Sequence, residues 1–404
     1  MNKMTKKIIP DLRFPEFVKD EGWEMKSVGY LCDILNNFRK PITGSNRKKG
    51  DYPYYGASGI IDYVDEYIFD ERLLLVGEDG AKWNAFEKTA FLVEGKYWVN
   101  NHAHVLKPIK INDKLLESFL VKLDLQPYIT GAAPPKLTLG KLKEIPIPFI
   151  ENPNEQQKIA SCLSSLDELI TAQKEKLDLL KNHKKGLMQN LFPQEGETVP
   201  KFRFPEFENN GEWEEKKLGD ITENVMYGMN ASAIRYDGEN KYIRITDIDE
   251  NSRTFLQNSL TSPNGQLEEK YILKIGDLLF ARTGASVGKS YLHQKENGKI
   301  YFAGFLIRLT IKNEIPYFIY AQTLTDQYFK WVIKTSMRSG QPGLNAEEYK
   351  SYRVFIPPSI NEQEKIVSGL SSLDELISSE KERLEKLQLH KKGLMQGLFP
   401  KIID

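Results

Sequence analysis

Apolar residues recur at alternating steps of four and three in two long segments of the chain. The first segment runs from Ile159 to Leu191 and the second from Ile366 to Leu398. This heptad pattern predicts two helices that pair along a narrow seam, because a helix packed on a globular core usually shows a wider apolar face. The apolar seam positions are Ile159, Leu163, Leu166, Ile170, Leu177, Leu180, Ile366, Leu370, Leu373, Ile377, Leu384 and Leu387.

Each predicted seam has two polar interruptions at equivalent places. Gln173 and Lys184 interrupt the first seam, and Glu380 and Lys391 interrupt the second. Polar residues at such positions can specify register and partner at some cost in stability. We therefore expect these four side chains to define how the helices align.

The ends of both helices are also marked in the sequence. Asn154 and Asn361 are predicted N-caps, each followed three residues later by a Gln or Glu that can complete a capping box. Pro193 and Pro400 end the two segments. At a rise of ~1.5 Å per residue, each helix would be roughly 55 Å long if unbroken.

The two helical segments are copies of each other. Residues 154–193 and 361–400 are identical at 28 of 40 aligned positions, at a constant offset of 207. The short segment PDLRFPEF at 10–17 returns as PKFRFPEF at 200–207, at an offset of 190. The bodies between these copies show little similarity, and the second is longer by 207 − 190 = 17 residues. The chain therefore consists of two tandem units, each with a short tag, a variable body and a fixed helix.

The nearest available partner for each helix is its copy in the same chain. We expect the two to pack antiparallel, which would place the bodies at opposite ends of a rod, related by a pseudo-twofold axis. The length of chain between the helices also allows a parallel pair. In a third arrangement each helix would pack on its own body as part of the core, although the narrow stripe argues against it.

The variable bodies combine strand-like and helical patterns. Strands are predicted at 73–81, 96–106, 241–249, 276–284 and 299–311, and a helical segment at 317–335. LLLVGEDGA at 73–81 resembles DLLFARTGA at 277–285, so both bodies are expected to share one fold. The predicted fold class is α+β, with two α/β bodies separated by two long helices that pack as an antiparallel coiled coil. The predicted domain boundaries are 1–153, 154–193, 194–360 and 361–404.

Composition is typical of a globular protein in a reducing compartment. The chain has 404 residues, 40% hydrophobic and 28% charged, and no apolar run of the ~18 residues that a membrane span needs. The basic residues at the N-terminus are not followed by an apolar segment, so no secretory signal is expected. Cys32 and Cys162 are the two cysteines, so neither a disulfide framework nor a cysteine zinc site is expected, and a cytoplasmic location is predicted. The net charge of +0 argues against binding nucleic acid by charge alone.

No catalytic motif can be assigned. TGASVGKS at 283–290 resembles a phosphate-binding loop, but Thr283 stands where that motif requires glycine. His102 and His104 alternate on a predicted strand and would share a face, yet no cysteine or carboxylate cluster would complete a metal site there. The sequence also lacks a GxSxG elbow and the Pro-Pro-aromatic signature of amino-methylating enzymes. We therefore predict a binding protein with no catalytic residue and no metal.

Polar and basic residues concentrate where the bodies turn. Their side chains are of the types that read base edges in the major groove and bind phosphates, so we predict contacts with DNA. A solvated loop residue is the simpler explanation for any one of them. The predicted DNA-binding residues are Lys82, Asn84, Asn100, Asn101, His102, Lys136, Arg282, Thr283, Lys289, Arg338, Gln341 and Asn345.

Each unit consists of a tag, a variable stretch and a helix that begins with NEQ and ends in KKGLMQ-LFP. Two such units in one chain resemble the specificity subunit of a Type I restriction–modification system. The resemblance spans essentially the entire chain. YYGASGIIDYV (54–64), LLLVGEDGA, NNHAHVL (100–106) and LLFARTGASVGKS also resemble the target recognition domains of that family. Because recognition contacts differ between members, no base-reading residue carries over directly.

The resemblance implies a non-catalytic reader of double-stranded DNA. Two methyltransferase subunits and two motor–nuclease subunits would assemble on it, and they would supply the S-adenosylmethionine, ATP and Mg²⁺ chemistry, with no cofactor in this chain. The fixed helices and the tags would contact the methyltransferase subunits. The tag residues so implicated are Arg13, Phe14, Phe17, Arg203, Phe204 and Phe207.

One mechanism fits both the patterns and the resemblance. Each body would read one half-site of a split, asymmetric target, and the helix pair would set the number of unread bases between them, on the scale of a DNA turn of ~34 Å. Two other functions fit the same patterns. One is a free-standing DNA-binding regulator with the same two readers, and the other is a helical adaptor that binds only proteins.

Overall fold

The computed structural model describes residues 7–294, 298–337 and 340–401. Arg338, a predicted DNA contact, lies outside these ranges. The chain divides into two compact units, one formed by Met1–Glu175 with Glu380–Asp404 and the other by Lys176–Ser379. Each unit contains one variable body and part of each long helix.

The first body is built on two four-stranded sheets and a two-stranded ribbon. The strand orders are β2-β9-β6-β7, β4-β3-β8-β5 and β1-β10, and the β3–β8 pair is parallel. The elements are β1 (Glu24–Ser27), α1 (Val28–Leu31), β2 (Cys32–Ile34), β3 (Lys49–Gly56), β4 (Gly59–Val64), β5 (Phe69–Asp70), β6 (Leu73–Gly77), β7 (Ala90–Val93), β8 (Lys96–Val99), β9 (Ala103–Pro108), α2 (Asp113–Lys122), α3 (Leu139–Glu144) and β10 (Pro146–Phe149), followed by the long helix α4 (Pro153–Leu191).

The second body has one four-stranded sheet and three two-stranded pairs. The strand orders are β12-β19-β16-β17, β14-β18, β13-β15 and β11-β20, and the β14–β18 pair is parallel. The elements are β11 (Glu214–Lys217), β12 (Thr222–Tyr227), β13 (Ala233–Arg235), β14 (Asn240–Ile243), β15 (Thr261–Pro263), β16 (Asp277–Ala281), β17 (Ser290–Leu292), β18 (Lys299–Phe302), β19 (Leu306–Ile311), α5 (Pro316–Gln322), α6 (Asp326–Ser336), α7 (Ala346–Ser351) and β20 (Arg353–Ile356), followed by the long helix α8 (Ile360–Leu398).

The two bodies share one topology despite their different sequences. Each body has a four-stranded sheet with equivalent strands in the same order. This order is β2-β9-β6-β7 in the first body and β12-β19-β16-β17 in the second. In both bodies a short helix, α3 or α7, leads into the last strand, and that strand pairs with the first. The expectation of a common fold, based on LLLVGEDGA and DLLFARTGA, is therefore confirmed.

Three predicted segments are each divided by a turn. The predicted strand 96–106 consists of β8 and β9, and 299–311 consists of β18 and β19. The predicted helical segment 317–335 is α5 and α6. The break between these helices occurs where Thr325 Oγ1 accepts a hydrogen bond from the Tyr328 N–H and caps the second helix, at 3.4 Å. Hydroxyl caps of this kind compete locally with helix continuation.

Both long helices begin earlier than the sequence predicts. Asn152 Oδ1 accepts from the Asn154 N–H at 3.0 Å, and Ser359 Oγ accepts from the Asn361 N–H at 3.3 Å. The predicted N-caps Asn154 and Asn361 are therefore wrong, because both residues already lie inside the first turn. In the first helix Pro153 occupies the first helical position, where its missing N–H costs nothing.

The helices pair antiparallel within each unit. In the first unit Lys391 donates to Asp167, and Gln173 Nε2 donates to Glu380 Oε2 at 2.5 Å. As the residue number increases along α4, the residue number of the contacted side chain on α8 decreases. The two helices therefore run antiparallel, and the parallel alternative is wrong. Each polar interruption named here therefore makes a contact across the seam, Gln173 with the interruption Glu380 and Lys391 with Asp167, which follows the seam position Leu166.

The second unit repeats the same contact at the equivalent positions. Lys184 Nζ donates to Asp374 Oδ1 at 2.5 Å. Since 184 + 207 = 391 and 374 − 207 = 167, this ion pair is the copy of the Lys391–Asp167 pair. Duplicated sequence thus forms duplicated contacts.

The ends of the helices also enter the core of each body. In the first unit, Ile159 and Leu163 pack in one buried cluster with Met395, Leu398 and Phe399. In the second unit the equivalent cluster contains the corresponding residues of both helices, namely Ile366, Leu370, Met188, Leu191 and Phe192. From the sequence alone, pairing of the two helices and packing of each helix on its own body were alternatives. In the structure both occur together. Each body is held by the first turns of one helix and the last turns of the other.

Candidate nucleic-acid interface

Three loops meet at one edge of the first body. They are the segment after β6 (78–82), the β8–β9 turn (100–102) and the segment before α3 (130–138). The Glu78 N–H donates to the His102 carbonyl at 2.8 Å, and the Leu137 N–H donates to the Glu78 carbonyl at 2.8 Å. We refer to these three loops as the first platform.

The second body has the same arrangement, formed by residues 282–285, 303–305 and 340–345. The Arg282 N–H donates to the Phe305 carbonyl at 3.0 Å, and the Leu344 N–H donates to the Arg282 carbonyl at 2.9 Å. We refer to these loops as the second platform. The backbone frame is thus the same in both bodies, while the side chains differ.

An acidic side chain organises the first platform. Asp79 binds His102 Nδ1 through Oδ1 at 2.5 Å and Lys136 Nζ through Oδ2 at 2.8 Å. Burial alone would raise the pKa of Asp79, but the hydrogen bonds from Lys136 and His102 outweigh it and lower the pKa. The same contact raises the pKa of Lys136. Asp79 therefore stays ionised, fixes the ring of His102 and leaves its Nε2 for a ligand.

His104 lies beneath this platform and not on its surface. It is 1% exposed, its Nε2 is 2.6 Å from the Leu137 carbonyl, and its Nδ1 is 2.8 Å from Asn36 Nδ2. Burial lowers the pKa of His104, which favours the neutral ring. The prediction that His102 and His104 share a face is wrong, because His102 belongs to the turn before β9. Only His102 can reach a ligand.

An arginine and an aromatic ring organise the second platform. The guanidinium carbon of Arg282 lies 5.0 Å from the centre of the Tyr227 ring, a cation–π distance. The Tyr227 hydroxyl accepts from the Ala346 N–H at 3.1 Å, which holds the ring in place. Gln341 is exposed, and Asn345 caps α7 by accepting from the Glu348 N–H at 2.9 Å.

The remaining predicted residues of the first body differ in their surroundings. The Lys82 side chain is 80% exposed, and Asn84 Nδ2 donates to Glu87 Oε2 at 3.1 Å. Asn101 is exposed on the turn. Asn100 is buried, and its Oδ1 accepts from the His102 N–H at 2.8 Å. Asn100 thus supports the turn that presents His102.

In the second body, Thr283 and Lys289 lie in different environments. Thr283 pairs with Gly343 in an isolated β-bridge that joins two loops of the platform. Lys289 is buried, donates to the Ile248 carbonyl at 3.2 Å and forms an ion pair with Glu250. The structure therefore gives Lys289 intramolecular contacts that support the body.

The two tags are tied to the starts of the long helices by buried ion pairs. Arg13 Nη2 lies 2.7 Å from Glu155 Oε2, and Arg203 Nε lies 2.8 Å from Glu362 Oε1. All four side chains are at most 6% exposed. Arg13 and Arg203 are thus part of the scaffold of their own units.

The tag phenylalanines remain closer to the surface. The Lys158 ammonium lies 5.6 Å from the ring centre of Phe14, and Lys365 lies at the same distance from Phe204. Phe17 and Phe207 are half-buried. Contact of these tags with partner subunits stays a prediction.

Sequence reasoning missed three important residues. Asp79 and Tyr227 were not selected, although alignment of LLLVGEDGA with DLLFARTGA already places Asp79 opposite Thr283. Phe305 was also missed, because an apolar residue in a strand-like segment suggests the core. It is instead 63% exposed at the turn of the second platform.

Neither a membrane-spanning helix nor a metal-binding cluster is found in residues 7–294, 298–337 and 340–401. No helix there has both the length and the apolar character for a membrane crossing. No group of three or more His, Cys, Asp or Glu residues in those ranges could hold a metal ion.

Comparison with known proteins identifies the family. The family model for the Type I restriction modification DNA specificity domain matches residues 20–182 and 210–389. A Haemophilus influenzae protein named as a type I restriction enzyme specificity subunit, S.HindORF215P, is 28% identical over 369 residues, covering 88% of this chain and 89% of the relative. The MjaVIII specificity subunit of Methanocaldococcus jannaschii is 22% identical, covering 94% and 92%.

A solved structure shows the same fold. The crystal structure of the Type-I restriction-modification system S subunit from M. genitalium aligns with a TM-score of 0.64 at 17% identity, covering 98% of this chain and 100% of that one. The two matches of the family model correspond to the two tandem units of the sequence. The chain therefore belongs to the family of type I restriction–modification DNA specificity domains and is a specificity subunit with two recognition domains.

Proposed function

We propose that each recognition domain reads one half of a bipartite DNA target. The observation that carries the proposal is the pair of platforms, which share one backbone frame and carry different side chains. The first platform carries Glu78, Asp79 and His102. At the equivalent positions the second platform carries Arg282, Thr283 and Phe305. Because different side chains select different base edges, the two half-sites should differ in sequence.

The chain serves recognition, and its partners supply the chemistry. We assign methylation and cleavage to methyltransferase and restriction subunits that assemble on this chain, together with S-adenosylmethionine, ATP and Mg²⁺. The tags and long helices, which occur in two similar copies, suit a partner that binds twice. With a net charge of +0 the chain has no excess of cations for phosphate contacts, so tight DNA binding requires the assembled complex.

A methylation map tests the proposed function. The chain and its methyltransferase subunits are produced in a host without adenine methylation, and modified motifs are sequenced. We expect one asymmetric split motif, which disappears without this chain. Co-purification with the methyltransferase is also expected. A free-standing regulator would instead bind its target tightly alone and leave no methylation, and a protein-only adaptor would bind no specific DNA.

A platform substitution sharpens this test. His102→Ala should relax or abolish recognition in one half-site and leave the sequence of the other half-site unchanged, because the two platforms belong to different domains. A lost base-edge contact costs roughly 1–3 kcal/mol of discrimination. Lys107→Ala, at the other end of β9 in a surface ion pair with Glu71, is the matched control and should leave the motif unchanged. A change in both half-sites would contradict independent reading.

The helix pair is proposed to set the spacer. Seven residues inserted after Glu175 together with seven after Ser379 keep the heptad pattern in both helices and add ~10.5 Å. The spacer between unchanged half-sites should then lengthen by about 3 base pairs, at ~3.4 Å each. Insertion into one helix alone is the control, since it misaligns the seam and should abolish methylation. An unchanged spacer after the double insertion would contradict the proposal.

A further inference from the structure

An exposed aromatic residue occupies the turn between β18 and β19. Phe305 is 63% exposed, whereas its neighbours Ala303 and Leu306 are buried. The turn is held by main-chain hydrogen bonds, from the Leu306 N–H to the Ala303 carbonyl at 2.8 Å and from the Arg282 N–H to the Phe305 carbonyl at 3.0 Å. Phe305 is therefore presented to the outside by an ordered turn, at the cost of exposing apolar surface.

A cation stands on the same platform. Arg282 follows β16 directly, and its guanidinium lies against the Tyr227 ring at 5.0 Å. In the part of the chain that the structure describes, no carboxylate forms an ion pair with Arg282. Arg282 thus has no ion-pair partner among the described residues, and it shares its platform with the exposed ring of Phe305. This combination suits a nucleic acid, because a guanidinium can bind phosphate or base acceptors and an aromatic ring can contact bases.

The first platform has a polar residue at the equivalent position. His102 in the β8–β9 turn is equivalent to Phe305 in the second platform. The His102 carbonyl accepts from the Glu78 N–H, and the Phe305 carbonyl accepts from the Arg282 N–H in the same way. His102 is a hydrogen-bonding group oriented by Asp79. Phe305 cannot donate or accept a hydrogen bond, so it can discriminate bases only by apolar contact. In the major groove the one apolar group at a base edge is the 5-methyl of thymine.

We propose that Phe305 is a specificity-determining residue that contacts the 5-methyl group of a thymine in the second half-site. The inference rests on the proposed function, because it names one contact within that reading. It differs from a wedge inserted between base steps, which would not depend on a methyl group. It also assigns the two turns different chemistry, polar at His102 and apolar at Phe305.

Deoxyuridine scanning of the mapped target tests this contact. The complex with its methyltransferase subunits is titrated with duplexes in which each thymine is replaced singly by deoxyuridine, which lacks only the methyl group. At fixed salt, one replacement in the second half-site should weaken binding about fourfold, the value of one buried methyl-sized group. The same replacement should have no effect on Phe305→Ala, which has already lost the contact.

Three controls make the result specific. Thymine replacements in the first half-site should affect the parent and Phe305→Ala equally, which also shows that the variant is folded. Ile275→Ala, which removes another exposed apolar side chain of the second unit, should keep the parent pattern. Phe305→Leu should keep part of the fourfold effect.

The outcomes separate this inference from the function on which it rests. If no replacement in the second half-site weakens binding by the parent, or if the loss persists in Phe305→Ala, Phe305 does not read a thymine methyl. Specific binding of the target over scrambled DNA would still support the proposed function in that case. If the complex fails to discriminate the target at all, the proposed function itself is wrong.

Discussion

Replacing Arg203 with leucine is expected to destabilise the second unit by about 3–5 kcal/mol. The change removes the cation that pairs with Glu362 and leaves that carboxylate, 1% exposed, with the Trp213 Nε1 hydrogen bond at 3.2 Å. A buried charge that has lost its partner costs far more than a surface ion pair contributes. Calorimetry should show the corresponding transition about 10 °C lower, at roughly 2–4 °C per kcal/mol for a unit of this size.

The same tag provides a matched control. Lys365 pairs with Glu206 at 3.1 Å on the surface, where both side chains are about half exposed. Lys365→Met should therefore cost at most about 1 kcal/mol. The double variant Arg203→Leu with Glu362→Leu should recover part of the stability, because no unpaired charge remains. Equal losses for Arg203→Leu and Lys365→Met would contradict a buried, stability-determining pair.

Replacing Gln173 with glutamate should destabilise the helix seam in a pH-dependent way. Gln173 Nε2 donates to Glu380 Oε2 at 2.5 Å, and both side chains are buried. The variant replaces this donor with a second carboxylate at the same place. Two buried carboxylates this close cannot both ionise freely, so the pKa of one is expected to rise, and the variant should be less stable than the parent at pH 8 by about 3 kcal/mol, the order of cost of an uncompensated buried charge.

The sign of the pH effect follows from proton linkage. The folded variant would hold a proton more tightly than the unfolded chain, whose glutamates titrate near ~4.3. The destabilisation is therefore complete above the raised pKa and shrinks as pH falls towards the unfolded value. The melting-temperature difference from the parent should be smaller at pH 5 than at pH 8. Glu380→Gln, which places two amides together, should show little such dependence, and a pH-independent loss in Gln173→Glu would contradict the explanation.

The sequence predicted the helix pair well because a heptad is a local property. The spacing from Ile159 to Leu191 decides which face of one helix is apolar, whatever the rest of the chain does. The duplication of 154–193 at 361–400 likewise needs no structure to detect. The start of each helix was missed by a few residues, because Asn152 and Ser359 cap as well as Asn154 and Asn361 could.

The platforms were only partly predictable because they depend on contacts between distant positions. Polar residues such as His102 and Lys136 were recognised by type, but their meeting on Asp79 joins loops more than 20 residues apart along the chain. Residue type alone also could not show that Lys289 is buried and pairs with Glu250, and it gave no reason to select Phe305.

The sequence by itself thus determined the tandem plan, the two long helices and the family. Repeats and periodicity are written in neighbouring residues, so they can be read without coordinates. Only the tertiary structure decided that the helices run antiparallel, and which turn residues face outward. Those outcomes depend on burial and on hydrogen bonds between loops, and no spacing along one segment encodes them.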